Sequence, residues 1–118
     1  MDKAFELAIY EALRELQIPE HLKGYQFLKS ALRYLLDNPN SIYSVTKDLY
    51  PGVAEMYDDK TEWTHVERGI RHAIRLSRAS DETKVRVLGK MGHMANSEFI
   101  AALGETIGFR LDGDGGKS

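Results

Sequence analysis

The chain has 118 residues, of which 42% are hydrophobic, a formal net charge of −2 and no cysteine. This length is that of one ordinary domain and excludes a second substantial domain. The lack of cysteine excludes disulfides, thiolate zinc sites and cysteine nucleophiles, and fits a cytosolic protein. Because no run of about 18 apolar residues exists and the N-terminus is acidic and amphipathic, we expect a soluble protein that is not exported.

Apolar residues recur at spacings of three and four in the first third of the chain, which indicates helices. The first helix is expected over about residues 3–16, and Pro19 ends it. A second helix is expected over about residues 20–36, with Pro19 in its first turn, until the turn cluster at residues 37–40 stops it. Each helix carries one apolar stripe.

The segment 41–57 is expected to hold short helices. Ser41 is a suitable N-cap, and apolar residues follow it at helical spacing until Pro51 interrupts the pattern. Because Pro51 can also open a helix, the segment forms either two helices or one kinked helix.

Residues 62–78 show the clearest helical pattern in the chain. One side carries an apolar stripe at helical spacing that consists of Trp63, Val66, Ile70, Ala73, Ile74 and Ser77. Another face carries a basic ridge that consists of Arg68, Arg71, Arg75 and Arg78. Glycine in a helix costs about 1 kcal/mol relative to alanine, so Gly69 indicates close packing against a neighbouring helix.

Basic charge is concentrated around this helix. Residues 1–59 carry a net charge of −4, residues 60–90 a net charge of +4, and residues 91–118 a net charge of −2. Such a concentration on an otherwise acidic chain is typical of a surface that binds a polyanion. Charge alone leaves a merely solvated surface open as the alternative.

Two further helices are expected after the basic helix. The first begins at Ser80 as N-cap and buries Val85 and Leu88 before a connection at residues 89–95. The second begins at Asn96 as N-cap. Its apolar side carries Phe99, Ile100 and Leu103.

Together these elements predict an all-α fold, a compact multi-helix bundle that contains a helix-turn-helix at about residues 51–78. The helical domain is expected over residues 1–111, and residues 112–118 are expected to be a disordered tail. The helix-turn-helix consists of a short helix that ends near Tyr57, a turn of about four residues at 58–61, and the longer basic helix. An antiparallel helix pair with solvated arginines is the structural alternative.

The front of the basic helix carries side chains that suit the reading of DNA bases. In a recognition helix the first turns face base edges. Arginine donates two hydrogen bonds to guanine, glutamate accepts one from cytosine, and hydroxyl or imidazole groups bond to bases or phosphates. The residues at these positions are Thr64, His65, Glu67 and Arg68. Trp63, just before them, either stacks on DNA or anchors the core, and its place on the apolar stripe favours the core.

Four segments resemble, in order, the DNA-binding effector domains of sporulation master response regulators. They are IPEHLKGYQFLKSAL (18–32), SVTKDLYPGVAEMY (44–57), VERGIRHAI (66–74) and NSEFIAALGETIGFRL (96–111). The resemblance covers about residues 10–111, and VERGIRHAI and NSEFIA are its most specific parts. It implies an all-helical fold that binds promoter boxes of the TGNCGAA type head to tail, represses some genes and activates others through RNA polymerase.

The resemblance also implies roles for single residues. The base-reading pair consists of Glu67 and Arg68, and the neighbouring Thr64, His65, Arg71 and His72 are base or phosphate contacts. From these we predict that Thr64 and His65 join the base-reading group. We further predict a phosphate-binding group that consists of Lys60, Arg71, His72 and Arg75. The last helix is expected to contact the sigma subunit of RNA polymerase or a second copy through Asn96, Glu98 and Phe99.

Two features depart from the family pattern. His65 stands where the family has a basic residue, and the connection at residues 90–95 is shorter than in the family. The phospho-acceptor receiver domain that precedes this domain in the family is not part of the sequence. Control by phosphorylation is therefore expected to reside elsewhere.

Catalysis, cofactors and metals are not expected. The sequence has no glycine-rich phosphate loop or nucleophile elbow, and His65 and His72 lie seven residues apart without a further ligand in register. We therefore predict a non-enzymatic, cytoplasmic, nucleoid-associated DNA-binding regulator with no membrane contact. The alternative, which the acidic first half and His65 keep open, is a protein-interaction module that binds RNA polymerase or a regulator with little specific DNA readout.

Overall fold

Helices make up most of residues 2–113, the part of the chain that the computed structural model describes. The α-helices are α1 (Lys3–Glu15), α2 (Lys23–Asp37), α3 (Tyr50–Ala54), α4 (Trp63–Arg75), α5 (Asp81–Leu88) and α6 (Asn96–Leu111). A 3₁₀ helix (Pro39–Tyr43) and a π-helical turn (Val45–Leu49) precede α3. Because residues 2–113 contain no β-strand, the predicted all-α fold is confirmed.

Local hydrogen bonds determine where the first two helices begin. The Asp2 carboxylate accepts a hydrogen bond of 3.0 Å from the backbone N–H of Ala4 and starts α1. α2 begins at Lys23, later than predicted, because the backbone of Leu22 is extended and its N–H bonds to the Pro19 carbonyl in a turn. Pro19 therefore precedes α2 instead of lying in its first turn.

The segment 41–57 divides further than predicted. Ser41 is not an N-cap, because it lies inside the 3₁₀ helix, where its hydroxyl is buried without a hydrogen-bond partner among residues 2–113. Ser44, with φ −148° and ψ 63°, interrupts the helical path. Pro51 lies in the first turn of α3, where its missing N–H is not needed. The segment thus holds three short helical pieces rather than one or two.

α4 is shorter than predicted at its C-terminal end. It ends at Arg75, and the hydroxyl of Ser77 donates a hydrogen bond of 2.5 Å to the carbonyl of Leu16 at the end of α1. Ser77 therefore links two segments instead of continuing the apolar stripe of α4. Arg78 lies beyond the helix, so the helical part of the basic ridge ends at Arg75.

The predicted orientation of α5 is wrong at one position. Ser80 caps the helix as predicted, and Gly89, with φ +85°, ends it. Val85 is 47% exposed, whereas Val87 is fully buried. The buried arc of α5 runs through Val87 and Leu88, so Val85 is turned toward solvent.

α6 also begins differently from the prediction. Ala95 is its N-cap, and Asn96 lies inside the helix with its side chain directed to another element. The predicted apolar residues of α6 are buried, namely Phe99, Ile100 and Leu103. Asp112 caps the C-terminus with helical backbone angles. Residues 114–118 of the predicted tail lie outside the described residues.

The core lies among α1, α2, α4 and α6. Its fully buried side chains include Ile9, Leu13, Leu28, Leu32, Ile70, Ile100 and Leu103. α2 contacts α4 backbone to backbone, since a Cβ added to Gly24 would lie 2.0 Å from the carbonyl oxygen of Gly69. This contact confirms the predicted close packing at Gly69 and leaves the opposite face of α4 turned outward.

Candidate nucleic-acid interface

α4 has one buried face and one exposed face. The buried face consists of Val66, Ile70 and Ala73, as predicted. At 3.6 residues per turn, Thr64, Arg68, Arg71 and Arg75 lie within about 60° of one another around the helix axis. The three arginines are exposed. The helix therefore presents a row of guanidinium groups on the side opposite its core contacts.

The structure places the predicted DNA contacts on the outward side of α4 and in the turn before it. Those that are exposed are Lys60, His65, Arg68, Arg71, His72 and Arg75. Thr64 and Glu67 are half-buried. Within residues 2–113, Lys60, Arg68, His72 and Arg75 form no ion pair, so the positive charges of Lys60, Arg68 and Arg75 are available to an anion.

His65 closes the N-terminus of α4. Its Nδ1 accepts a hydrogen bond of 2.9 Å from the backbone N–H of Glu62, the N-cap residue. Since Nδ1 acts as the acceptor, the neutral imidazole carries its proton on Nε2. His65 therefore stabilises the helix start and offers an N–H donor at its other ring nitrogen.

The turn before α4 is organised by Asp58. Its carboxylate accepts hydrogen bonds from the Thr61 hydroxyl at 2.9 Å and from the Lys60 backbone N–H at 3.0 Å, and these bonds lower the pKa of Asp58. The exposed side chain of Lys60 therefore extends from a fixed turn. The connection spans residues 55–62, longer than the predicted four residues, because α3 already ends at Ala54.

Glu67 is held from two sides. Its carboxylate accepts a hydrogen bond from Arg71 one turn later in α4, and its backbone carbonyl accepts one of 2.9 Å from the side-chain amide of Asn96 in α6. Arg71 therefore orients the carboxylate that we predicted to read a base. Asn96 ties the same turn of α4 to the start of α6.

Trp63 was predicted to lie in the core, but the structure places it partly at the surface. Its side chain is 39% exposed, and its ring stacks on that of Tyr50, with centroids 6.3 Å apart and planes inclined by 2°. Tyr50 itself is buried, which raises the pKa of its hydroxyl. The aromatic pair joins the start of α3 to the start of α4, so it holds the two helices of the candidate helix-turn-helix together.

The predicted protein contacts in α6 differ in exposure. Phe99 is buried in the core, and Asn96 is buried and bonded to α4, so neither side chain is presented to a partner. Glu98 is exposed and accepts a hydrogen bond of 2.8 Å from Lys90, which lowers its pKa. Glu98 is thus the member of this group that a partner can reach.

Among residues 2–113, no three side chains of His, Cys, Asp or Glu converge as a metal site. In the same range, none of the helices has the length and apolar character needed to span a bilayer.

The hydrogen bonds of His65 and Asn96 differ in how far the sequence alone can predict them. The link between Glu62 and His65 joins an N-cap to the third residue of a helix, the spacing of a capping box, so a local search can find it. The bond between Asn96 and Glu67 spans 29 positions and depends on how α6 packs on α4. No local sequence pattern predicts this hydrogen bond.

The chain matches a known protein family. The family described as "Sporulation initiation factor Spo0A C terminal" matches residues 9–107, a range that runs from α1 to α6 and includes the whole candidate interface. The match covers nearly the whole chain, and it confirms the resemblance seen in the sequence. The chain therefore belongs to the Spo0A C-terminal family, the DNA-binding regulatory domains of sporulation initiation factors.

Proposed function

We propose that this chain binds double-stranded DNA sequence-specifically, with α4 in the major groove, and regulates transcription at the initiation of sporulation. The supporting observation is the outward face of α4, where Arg68 and Arg75 are exposed and unpaired among residues 2–113. The major groove of B-DNA accepts one α-helix and displays a distinct donor and acceptor pattern for each base pair. An arginine row on a core-anchored helix suits both the groove and its flanking phosphates.

Base reading falls to the first two turns of α4. Arg68 donates to guanine O6 and N7, and Glu67 accepts from the amino group of cytosine. Arg71 holds the Glu67 carboxylate before DNA arrives, so this acceptor is already oriented. His65 donates through Nε2–H, which limits it to acceptors such as a purine N7 or a phosphate oxygen. Thr64 completes the group with a hydroxyl.

Phosphate contacts fix the position of α4 on the duplex. Lys60 extends from the turn before α4, and Arg71, His72 and Arg75 follow along the helix. Such contacts carry little sequence information, but they supply most of the salt-dependent affinity. The cationic residues therefore divide into one base reader, Arg68, and a flanking group that holds the backbone.

Partners and location follow from this role. Binding to tandem TGNCGAA-type boxes would place two copies head to tail, and activation would require the sigma subunit of RNA polymerase. Glu98 is the exposed residue of α6 that we assign to such protein contacts. The protein acts without catalysis or cofactor, at the nucleoid in the cytoplasm.

The test compares Arg68→Ala with Arg14→Ala, an exposed arginine of α1 on another part of the molecule. Fluorescence anisotropy measures the Kd of each variant for a duplex with two TGNCGAA-type boxes and for a scrambled duplex. Arg68→Ala is expected to lose about 1–3 kcal/mol on the boxes and to relax the preference for them. Arg14→Ala is expected to bind like the unmodified chain. Unchanged affinities for Arg68→Ala on both duplexes would show that α4 does not dock as proposed.

A further inference from the structure

A cleft lies beside the C-terminal half of α4, where α5 and the connection at residues 89–95 approach it. Its volume is about 260 Å³. The floor is apolar and is formed by Leu88, Met94 and Phe99, all of them buried. The rim carries the basic side chains Arg75, Lys84 and His93. The cleft therefore combines a closed bottom with a cationic mouth.

The charged residues that line this cleft are all basic. Neither Asp nor Glu lines it. Two further basic residues of the lining, Arg71 and Lys90, are paired with Glu67 and Glu98 respectively. Among residues 2–113, Arg75, Lys84 and His93 form no ion pair. Three basic side chains from three different segments thus line one opening. Arg75 and Lys84 have no ion-pair partner among residues 2–113, whereas His93 lies close enough to Glu98 for their charges to interact.

Two polar side chains that line the cleft, Ser77 and Asn96, already donate hydrogen bonds to other parts of the chain. The Ser77 hydroxyl donates to the Leu16 carbonyl, and the Asn96 amide donates to the Glu67 carbonyl. A ligand in this cleft must therefore be held by the basic rim. Gly92, with φ +89°, shapes the connection just before His93 in a conformation that residues with a side chain rarely adopt.

We propose that this cleft binds a phosphate group through Arg75, Lys84 and His93. A phosphate offers several charged acceptor oxygens at once, which matches donors converging from α4, α5 and the connection after it. The first source of such a phosphate is the DNA backbone beyond the bases that α4 reads. With DNA as the source, the inference rests on the proposed function. A free phosphate ester is the second source of the same chemistry.

Duplex length separates a flanking phosphate from the contacts of α4. One duplex ends at the box, and the other extends it by about 10 base pairs, one helical turn, on each side. The double variant Lys84→Gln, His93→Gln is expected to bind the extended duplex about tenfold more weakly, with a salt slope reduced by about 1, and to bind the short duplex unchanged. Neither side chain takes part in an ion pair within residues 2–113, so the fold is expected to persist. The matched control is Lys3→Gln, an exposed lysine at the start of α1.

Inorganic phosphate provides the second arm. Saturable amide shifts at Gly92 and His93 upon phosphate titration, absent with chloride and abolished by the double variant, would show that the cleft takes free phosphate. Tight binding of the extended duplex by the double variant, together with no saturable phosphate shifts in the unmodified chain, would overturn the proposal. A box preference that persists in that case leaves the proposed function standing. If the unmodified chain binds no duplex, the proposed function fails and the phosphate titration alone decides.

Discussion

The side-chain amide of Asn96 donates a hydrogen bond of 2.9 Å to the backbone carbonyl of Glu67. This bond joins the first turn of α6 to the turn of α4 that we assign to base reading. Asn96 is only 9% exposed, so the bond is shielded from water. The orientation of the interface thus depends on the packing of a helix that does not itself belong to the interface.

Asn96→Ala is expected to lower the free energy of unfolding by about 1–3 kcal/mol, because a buried carbonyl loses its partner. Denaturant unfolding measures the change. The control is Asn38→Ala, which removes a similar bond of 3.1 Å to the Tyr34 carbonyl at an exposed position, and it is expected to cost less. Equal losses for the two variants would contradict the role assigned to Asn96.

Gly24→Ala is expected to destabilise the fold by about 3 kcal/mol, since the new methyl group would overlap the carbonyl of Gly69 and push α2 away from α4. Gly108→Ala is the matched control in α6, where an added Cβ meets no atom within 4 Å. It is expected to stabilise the helix by up to about 1 kcal/mol. Thermal and denaturant unfolding of both variants measure the opposite signs, and a neutral Gly24→Ala would refute the backbone contact.

Glu15 gives stability a defined dependence on pH. Hydrogen bonds from Arg110 at 2.7 Å and from Arg86 at 2.6 Å lower its pKa below the usual value of 4.5. Because the folded-state pKa is depressed, the ionised carboxylate stabilises the fold above about pH 4.5, and this stabilisation is lost as the pH falls through the folded-state pKa.

Glu15→Gln is therefore expected to cost about 1 kcal/mol at pH 7, and the difference from the unmodified chain is expected to shrink toward pH 3. Unfolding curves at several pH values measure this difference. Glu20→Gln, at an exposed position with no ion pair among residues 2–113, is expected to show no such trend. A pH-independent effect of Glu15→Gln would contradict the assignment.

His65 and His72 are expected to respond differently to substitution by alanine. His65→Ala removes the acceptor for the Glu62 N–H and is expected to cost about 1 kcal/mol of stability. His72 is exposed and forms no hydrogen bond between side chains in residues 2–113, so His72→Ala is expected to leave stability unchanged. Both variants are expected to bind duplex DNA more weakly. Unfolding and anisotropy measurements on the same samples separate the two effects, and equal stabilities would exclude the cap.

The sequence predicted the fold best where one helix carries a regular apolar stripe. α1 and the buried face of α4 follow such stripes, and Gly69 indicated its own helix contact correctly. The predicted helix bounds are wrong where the local backbone geometry or a partner distant in the sequence determines where a helix ends. Ser44 interrupts the segment before α3, and Ser77 leaves the pattern of α4 to bond with Leu16. The spacing of apolar residues predicts neither the break at Ser44 nor the hydrogen bond of Ser77.

In the candidate site, too, the helical spacing predicted the exposed arginines correctly but the position of Trp63 incorrectly. Periodicity and charge place Arg68, Arg71 and Arg75 on one exposed face, and the structure agrees. Trp63 lies at the start of the stripe, where its ring stacks on the buried Tyr50 but stays 39% exposed, and helical spacing alone does not distinguish this position from a core position.

One titration tests most directly whether this chain reads DNA. The unmodified chain is titrated by fluorescence anisotropy against a duplex with two TGNCGAA-type boxes and against a scrambled duplex, each at two salt concentrations. We predict tighter binding to the boxes and an affinity that falls steeply with salt, because phosphate contacts release counterions. Equal and weak binding to both duplexes, with little dependence on salt, would contradict the account.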